Sequence, residues 1–328
     1  MNKSFAHLLP RIAVLLALAA LPLVAAATGY MSVIPLVTRA LIYGIAAASL
    51  NFALGYGGLI SLGHAAFFGA GAYTVGILYQ HHSLGLPLLG FLPGTDQLLI
   101  SLPAAMLVSG LLAAVIGALS IRTSGVQFIM ITLAFAQMLF FLFVSLKSYG
   151  GDDGLIIRRP NELFGLNMRD RQTFYYVCLA FSVLCFVVLS RLIGSRFGAV
   201  VIGLRQSERR MASIGVSSYP YKLVAFIISG IGCGLAGGLM ANFLRFASPD
   251  MIHWTKSGEL MIMVILGGVA TRFGPWIGAA VFILLESILS SWTENWQLGL
   301  GAMLLVIVLF TSGGIQALCD RLVQRPAQ

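Results

Sequence analysis

The chain has 328 residues, of which 59% are hydrophobic and only 9% are charged. A soluble domain usually carries about 25% charged residues, so this composition excludes a soluble globular protein. The net charge of +9 comes from Lys and Arg residues that lie between apolar runs and form no continuous basic stripe. We therefore attribute the basic residues to membrane orientation and expect no nucleic-acid partner.

Apolar runs of about 20 residues recur along the chain, which is the length that an α-helix needs to cross a bilayer. They predict an all-α, polytopic membrane protein with about ten transmembrane or re-entrant segments. The predicted segments are 12–27, 36–56, 59–79, 97–119, 125–146, 173–193, 222–243, 259–270, 276–292 and 298–315. The first run also has the features of a cleaved signal peptide, but we favour a retained first helix.

The hydrophobic pattern predicts a single membrane domain over residues 1–328, with a membrane core at 12–315. Lys and Arg are concentrated in the polar loop at 194–222, which places that loop in the cytoplasm together with the tail at 316–328. The loop at 147–172 carries both acidic and basic residues and is expected on the opposite side.

Two glycine-rich regions interrupt the pattern of plain spanning helices. The first runs from Gly55 to Gly76, and the second, from Gly267 to Gly278, also contains Arg272 and Pro275. Such regions are typical either of unwound backbone along a transport pathway, with a possible internal repeat, or of tight helix packing, and both interpretations stay open. The residues assigned to pathway or packing are Asn51, Gly58, Ser61, His64, Gly71, Gly267 and Gly268.

The sequence lacks the usual signatures of an enzyme or a nucleotide-binding protein. No G-x-x-x-x-G-K-[ST] motif for nucleotide phosphates and no G-x-S-x-G elbow occur, and the cysteines show no metal-ligand spacing. We therefore predict no enzymatic activity, no metal and no cofactor. Glu286 is the only clear carboxylate inside a predicted span, which argues against a proton-driven carrier.

The segment 204–215 is the most informative polar stretch and is predicted to form one amphipathic helix that ends at Gly215. Its predicted apolar face consists of Leu204, Met211 and Ile214. Its predicted polar face consists of Arg205, Glu208 and Arg209. Arg205 and Glu208 are three residues apart, so we expect them to pair. Such a helix either lies on the lipid surface or docks on a partner.

Four blocks of the sequence carry a resemblance to a known family. They are 51–73 (NFALGYGGLISLGHAAFFGAGAY), 150–155 (GGDDGL), 203–226, and 263–288 (MVILGGVATRFGPWIGAAVFILLESI). These blocks resemble the M-type permease family of branched-chain amino acid ATP-binding cassette (ABC) transporters, and the first is similar to the family signature. Their order is that of the family, and together they cover most of residues 40–315.

This resemblance implies an importer subunit in a bacterial inner membrane. The implied partners are a second homologous permease subunit, two ATPase subunits, a periplasmic substrate-binding protein and membrane lipid. Arg205, Glu208 and Gly215 match the ATPase-coupling loop of the family, whereas Arg209 stands where small or acidic residues are more usual. The predicted coupling residues are these four together with Met211 and Ile214 of the apolar face. The implied substrates are branched-chain amino acids, or urea and short amides. The alternative from another class is a stand-alone secondary carrier.

Overall fold

The computed structural model describes residues 17–25, 29–87, 93–163, 168–292, 295–310 and 314–316. Residues 17–25 form helix α1. The longer elements that follow are α2 (Val33–Asn51), a π-helical turn (Phe52–Tyr56), α3 (His64–Leu84), α4 (Leu98–Ser120), α5 (Val126–Ser145), α6 (Arg171–Ile193), α7 (Arg196–Gln206), α8 (Glu208–Ser213), α9 (Ser218–Leu244), α10 (Trp254–Gly267), α11 (Gly274–Trp292) and α12 (Trp296–Phe310).

The described residues confirm the all-α, polytopic prediction. Six helices are long and apolar enough to cross a membrane: Val33–Tyr56, Leu98–Ser120, Val126–Ser145, Arg171–Ile193, Ser218–Leu244 and Gly274–Trp292. The other predicted segments correspond to α1, α3, α10 and α12, although their bounds differ. For example, α3 begins at His64 and not at residue 59, because residues 57–63 are not helical. The predicted tail lies outside the described residues, except for residue 316.

Helix α9 occupies the centre of the bundle and packs against α2, α3 and α4. Glycines make this close packing possible, because they leave room for a neighbouring backbone. A Cβ atom on Gly234 would lie 2.2 Å from Ser109 Oγ of α4, and a Cβ atom on Gly71 would lie 2.1 Å from the Gly234 carbonyl oxygen. The small residues of α9 therefore serve helix packing on two sides.

The two ends of α9 carry different structures. At its C-terminal end, strand β2 (Phe246–Ala247) pairs antiparallel with strand β1 (Leu155–Ile156) of the loop between α5 and α6. We call this end of the bundle the sheet end. At the N-terminal end of α9 lie the short helices α7 and α8, and we call this the coupling end. The loops predicted on opposite sides of the membrane thus lie at opposite ends of one helix.

Three of the cysteines are buried free thiols, as expected for small core residues: Cys178, Cys185 and Cys233. Cys319 lies outside the described residues.

Candidate coupling site and the interrupted helices

The first glycine-rich region breaks the chain inside the bundle. After the π-helical turn, residues 57–63 are non-helical, and α3 begins at His64, which is fully buried. His64 Nε2 lies 2.8 Å from Ser229 Oγ, and Ser229 Oγ donates a hydrogen bond to the Ser49 carbonyl oxygen at 2.6 Å. Ser229 lies about 16 Å along α9 from its first residue, Ser218. The interruption is therefore below the surface, where only backbone buried in protein is tolerated.

Ser61 helps to order this non-helical backbone. The Ser61 side chain is fully buried, and its Oγ accepts a hydrogen bond from the Gly63 N–H at 3.1 Å. Gly58 has a φ of +70°, a left-handed conformation that glycine adopts without steric cost. The hydrogen bond to Ser61 and the left-handed conformation of Gly58 therefore support the non-helical backbone of residues 57–63.

The second glycine-rich region separates α10 from α11. Helix α10 has 14 residues and is therefore about 21 Å long, shorter than the hydrocarbon core of a bilayer. Gly267 ends this helix, and Gly268 follows with a φ of +123°. A Cβ atom on Gly267 would lie 1.8 Å from the Gly274 carbonyl oxygen, so the two helices almost touch at their junction.

Asn51 joins the two interruptions. Its side chain is 2% exposed, and its Oδ1 accepts a hydrogen bond from the Ala270 N–H at 2.9 Å. Its Nδ2 donates to the Thr271 carbonyl oxygen, also at 2.9 Å. The α10–α11 loop is partly buried, and this amide satisfies one backbone donor and one backbone acceptor of the loop. Asn51 therefore fixes the position of one break relative to the other.

Arg205 connects the coupling end to the first interruption. Its Nη1 donates a hydrogen bond to the Gly55 carbonyl oxygen, in the π-helical turn. A Cβ atom on Gly58 would lie 3.1 Å from Arg205 Cγ, so the stem of the arginine packs on the glycine-rich backbone. A continuous set of contacts thus runs from α7 through the π-helical turn to Asn51 and the α10–α11 loop.

The prediction of one helix over 204–215 is wrong, because the chain breaks at Ser207. The backbone of Ser207 is extended, and its Oγ accepts a hydrogen bond from the Arg210 N–H, so Ser207 caps a new helix, α8. Gly215, with a φ of +85°, ends α8 in a Schellman motif, in which the Val216 and Gly215 N–H groups donate to Met211 and Ala212 carbonyls. The predicted end of the helix at Gly215 is therefore confirmed.

The expected pair between Arg205 and Glu208 is also wrong. Because Ser207 turns the chain, Glu208 pairs instead with Lys222 of α9, at 2.5 Å between Oε1 and Nζ. The ion pair between Glu208 and Lys222 attaches the corner between α7 and α8 to α9. The hydrogen bond of Arg205 attaches the same corner to the π-helical turn.

The predicted apolar face does not exist as one surface. Leu204 is buried, and Met211 packs towards Gly203, on which a Cβ atom would lie 2.9 Å from Met211 Sδ. Ile214 is 71% exposed and projects at the end of α8. Arg209 and Arg210 are exposed as well. Ile214, which directly follows α8, and the two arginines are therefore among the exposed residues that a partner can reach.

An ion pair between helices was missed by the sequence analysis. Arg39 of α2 lies 2.7 Å from Glu286 of α11, and its Nη2 donates to both carboxylate oxygens. Glu286 was noted only as an isolated carboxylate. A charge within a span is usually paired. Arg39, an arginine inside an apolar run, is therefore the signal in the sequence that indicates a partner for Glu286.

Comparisons with known proteins agree with this architecture. A family profile described as "Branched-chain amino acid transport system / permease component" matches residues 32–309. The high-affinity branched-chain amino acid transport system permease protein LivM of Salmonella typhimurium is 28% identical over 306 residues, which cover 86% of this chain and 69% of that protein. The LivM protein of Escherichia coli is 27% identical over 310 residues, with the same coverage. A probable branched-chain amino acid transport permease protein LivM of Methanocaldococcus jannaschii is 25% identical over 293 residues, which cover 79% of this chain and 82% of that protein. No solved structure matches the chain.

The bundle and its matches define a multi-pass membrane transport protein. The chain belongs to the family of permease components of branched-chain amino acid transport systems. This membership favours a subunit of a multi-component system over the stand-alone carrier considered above.

Proposed function

We propose that this chain is the membrane-spanning permease subunit of an ATP-driven importer of branched-chain amino acids in a bacterial inner membrane. Its partners are two ATPase subunits, a second permease subunit of the same family and a periplasmic binding protein. The proposal rests on the family membership and on the printed names of the relatives. The chain itself contains no motif for nucleotide phosphates, so ATP hydrolysis belongs to a separate polypeptide.

The observation that carries the coupling proposal is the hydrogen bond from Arg205 to the Gly55 carbonyl oxygen. In our proposal, an ATPase binds the exposed part of α8 and displaces the α7–α8 corner. Because Arg205 holds the π-helical turn, this displacement moves the first interruption. Asn51 then passes the movement to the α10–α11 loop. The two breaks change position together and open or close the path of the substrate.

Docking and transmission are separate steps in this mechanism, so different substitutions should affect them. Ile214→Asp removes the exposed apolar anchor of α8, whereas Ile214→Leu keeps it. Loss of an interface anchor costs about 2 kcal/mol or more, which is roughly a thirtyfold loss of affinity. We expect the Asp variant to lose co-purifying ATPase subunits and the Leu variant to retain them.

Arg205→Met retains the aliphatic stem that packs on Gly58 and removes the hydrogen bond to Gly55. We expect this variant to bind the ATPases normally but to lose stimulation of ATP hydrolysis by the loaded binding protein in proteoliposomes. The matched control is Arg196→Met, because Arg196 is exposed in the first turn of α7, on the same helix as Arg205 and outside the docking surface of α8. Normal stimulation in the Arg205 variant, or equal loss in both variants, contradicts the transmission proposal.

The orientation can be tested independently. The cluster of basic residues at the coupling end supports a cytoplasmic location for that end. In a cysteine-free background, a single cysteine at Ser207 should react only with a permeant thiol reagent in intact cells. A cysteine at Asp153, in the loop at the sheet end, should react with an impermeant reagent added outside. The reverse pattern would invert the proposed topology.

A further inference from the structure

A cavity of about 400 Å³ lies at the sheet end of the bundle. It is enclosed by the first turns of α2 and α6, by the last turn of α9 and by the residues just before α6. Its apolar wall includes Ile34, Phe174 and Phe243. This cavity is distant from the coupling site, and the proposed mechanism does not use it.

Three arginines line the cavity, Arg169, Arg171 and Arg245, and among the described residues its lining contains no Asp or Glu. The nearest carboxylate along the chain, Asp170, is occupied as the N-cap of α6. Its Oδ2 accepts hydrogen bonds from the Thr173 N–H and hydroxyl, and the hydroxyl bond is the main cause that lowers the pKa of this carboxyl. Asp170 keeps its negative charge in this role, but Arg171 and Arg245 outnumber it, so these groups give the cavity a net positive charge.

Of the helix ends around the cavity, the N-terminus of α2 increases this potential, whereas the Asp170 carboxylate offsets the N-terminus of α6. The N-termini of α2 and α6 both contribute first-turn residues to the lining, and the N-terminus of a helix carries a partial positive charge. The Ser32 side chain at the start of α2 makes no capping hydrogen bond. The C-terminus of α9 has the opposite sign, and Arg245 lies there. The combination favours an anion.

The cavity lining is partly apolar, so a small inorganic ion alone would not match it. Ile34 and Phe174 are buried below the arginines, whereas Leu244, also part of the lining, is exposed. Tyr30 and Met31, just before α2, are exposed as well. Exposed apolar and aromatic residues beside cationic groups at the ends of spanning helices are typical of the membrane–water boundary. A molecule with an anionic head and an apolar body fits this arrangement.

We propose that this cavity binds an anionic phospholipid, with the headgroup phosphate at Arg171 and Arg245 and an acyl chain along Phe174 and Phe243. Guanidinium groups suit phosphate because they donate two parallel hydrogen bonds. The lipid would fill the space between α2, α6 and α9 and fix these three helix ends relative to one another. It would thus hold the sheet end while the coupling end moves.

The test uses the purified full-length permease in detergent, titrated with phosphatidylglycerol or with phosphatidylcholine. Native mass spectrometry measures the bound lipid. The unaltered chain should retain phosphatidylglycerol in preference to phosphatidylcholine. The double variant Arg171→Gln/Arg245→Gln should lower this retention about tenfold or more, because it removes two charge-assisted contacts.

The matched control is Arg158→Gln/Arg159→Gln. It removes the same two charges from exposed positions at the sheet end that do not line the cavity. This control should retain the lipid as the unaltered chain does. Equal loss in both double variants would mean that only the overall charge attracts lipid, and it would overturn the proposed site.

A second measurement needs no variant. A photoreactive phosphatidylglycerol added to the unaltered chain should crosslink to peptides that contain Phe174 or Leu244, and excess phosphatidylglycerol should suppress the crosslink. If the crosslinks lie elsewhere, no lipid occupies the cavity. If free leucine suppresses them and phosphatidylglycerol does not, the anion is the carboxylate of a transported amino acid, and the lipid assignment is wrong.

Discussion

Replacement of Gly71 by alanine should separate α3 from α9. In the structure, a Cβ atom at this position would lie 2.1 Å from the Gly234 carbonyl oxygen and 2.8 Å from the carbonyl carbon and Cα of the same residue. All three atoms belong to backbone, so no side-chain rotation relieves the contact. Ordinary van der Waals contact begins at 3.4 Å. The helices must therefore move apart locally by about 1 Å.

This movement affects the whole interface between the two helices. Gly237 lies one turn further along α9, and a Cβ atom there would be 1.8 Å from the Phe68 carbonyl oxygen, so the same close approach continues. Overpacking of a core typically costs 1–3 kcal/mol, and a backbone contact should place Gly71→Ala near the upper end, at about 3 kcal/mol. That loss exceeds the usual effect of a surface substitution several-fold.

The assay follows the buried thiols on heating. Cys233 is next to Gly234 on α9 and is fully buried, so it should react with a fluorogenic maleimide only when the bundle opens. Gly71→Ala should become reactive at a temperature several degrees lower than the unaltered chain. The matched control is Gly258→Ala in α10, where a Cβ atom meets nothing within 4 Å. There alanine should stabilise the helix by about 0.5–1 kcal/mol.

The reasoning fails if Gly71→Ala melts at the same temperature as the unaltered chain or above it. It also fails if Gly258→Ala is destabilised to the same extent, because the effect would then come from any added methyl group. Gly71→Leu should insert into the membrane but should assemble less well than the alanine variant.

Three further substitutions test contacts found in the structure, with the same thermal assay. Asn51→Ala should cost about 1–3 kcal/mol, because it removes the partner of two partly buried backbone groups of the α10–α11 loop, and it should also reduce transport; a variant with full stability and uptake would contradict the role of this amide. Glu286→Gln should destabilise by about 1–3 kcal/mol, since it leaves the Arg39 charge unpaired but only partly buried, and Arg39→Met/Glu286→Leu should recover most of the loss. Gly215→Ala should weaken the end of α8 by about 1–2 kcal/mol because of the left-handed φ, seen as faster hydrogen exchange in α8 with α9 unchanged.

The interrupted helices show how far sequence reasoning extends. Glycine density predicts where regular spanning helices fail, since glycine is a weak helix former and permits close contacts. It does not predict that the two breaks meet, because Asn51 and Ala270 are distant in the chain and their hydrogen bonds depend on how α2 and α11 pack. The internal repeat remains a prediction.

The coupling segment shows the limit of local patterns. Helical periodicity predicts one face for Leu204, Met211 and Ile214 only if the helix is continuous. A single serine cap at Ser207 changes the direction of the chain and separates these residues. The free energies of a helix capped at Ser207 and of a continuous helix differ by less than a few kcal/mol. The tertiary contacts of Arg205 and Glu208 therefore decide which of the two forms.

The sequence by itself determined the class of this protein and the approximate positions of its membrane segments, because the length and hydrophobicity of each span are imposed by the bilayer and can be read locally. Its family followed from the resemblance of four sequence blocks. Only the tertiary structure decided the partners of the charged and polar groups: Arg39 with Glu286, Glu208 with Lys222, and Asn51 with the α10–α11 loop. The physical reason is that a buried polar group must be satisfied, but the neighbour that satisfies it is selected by the packing of whole helices.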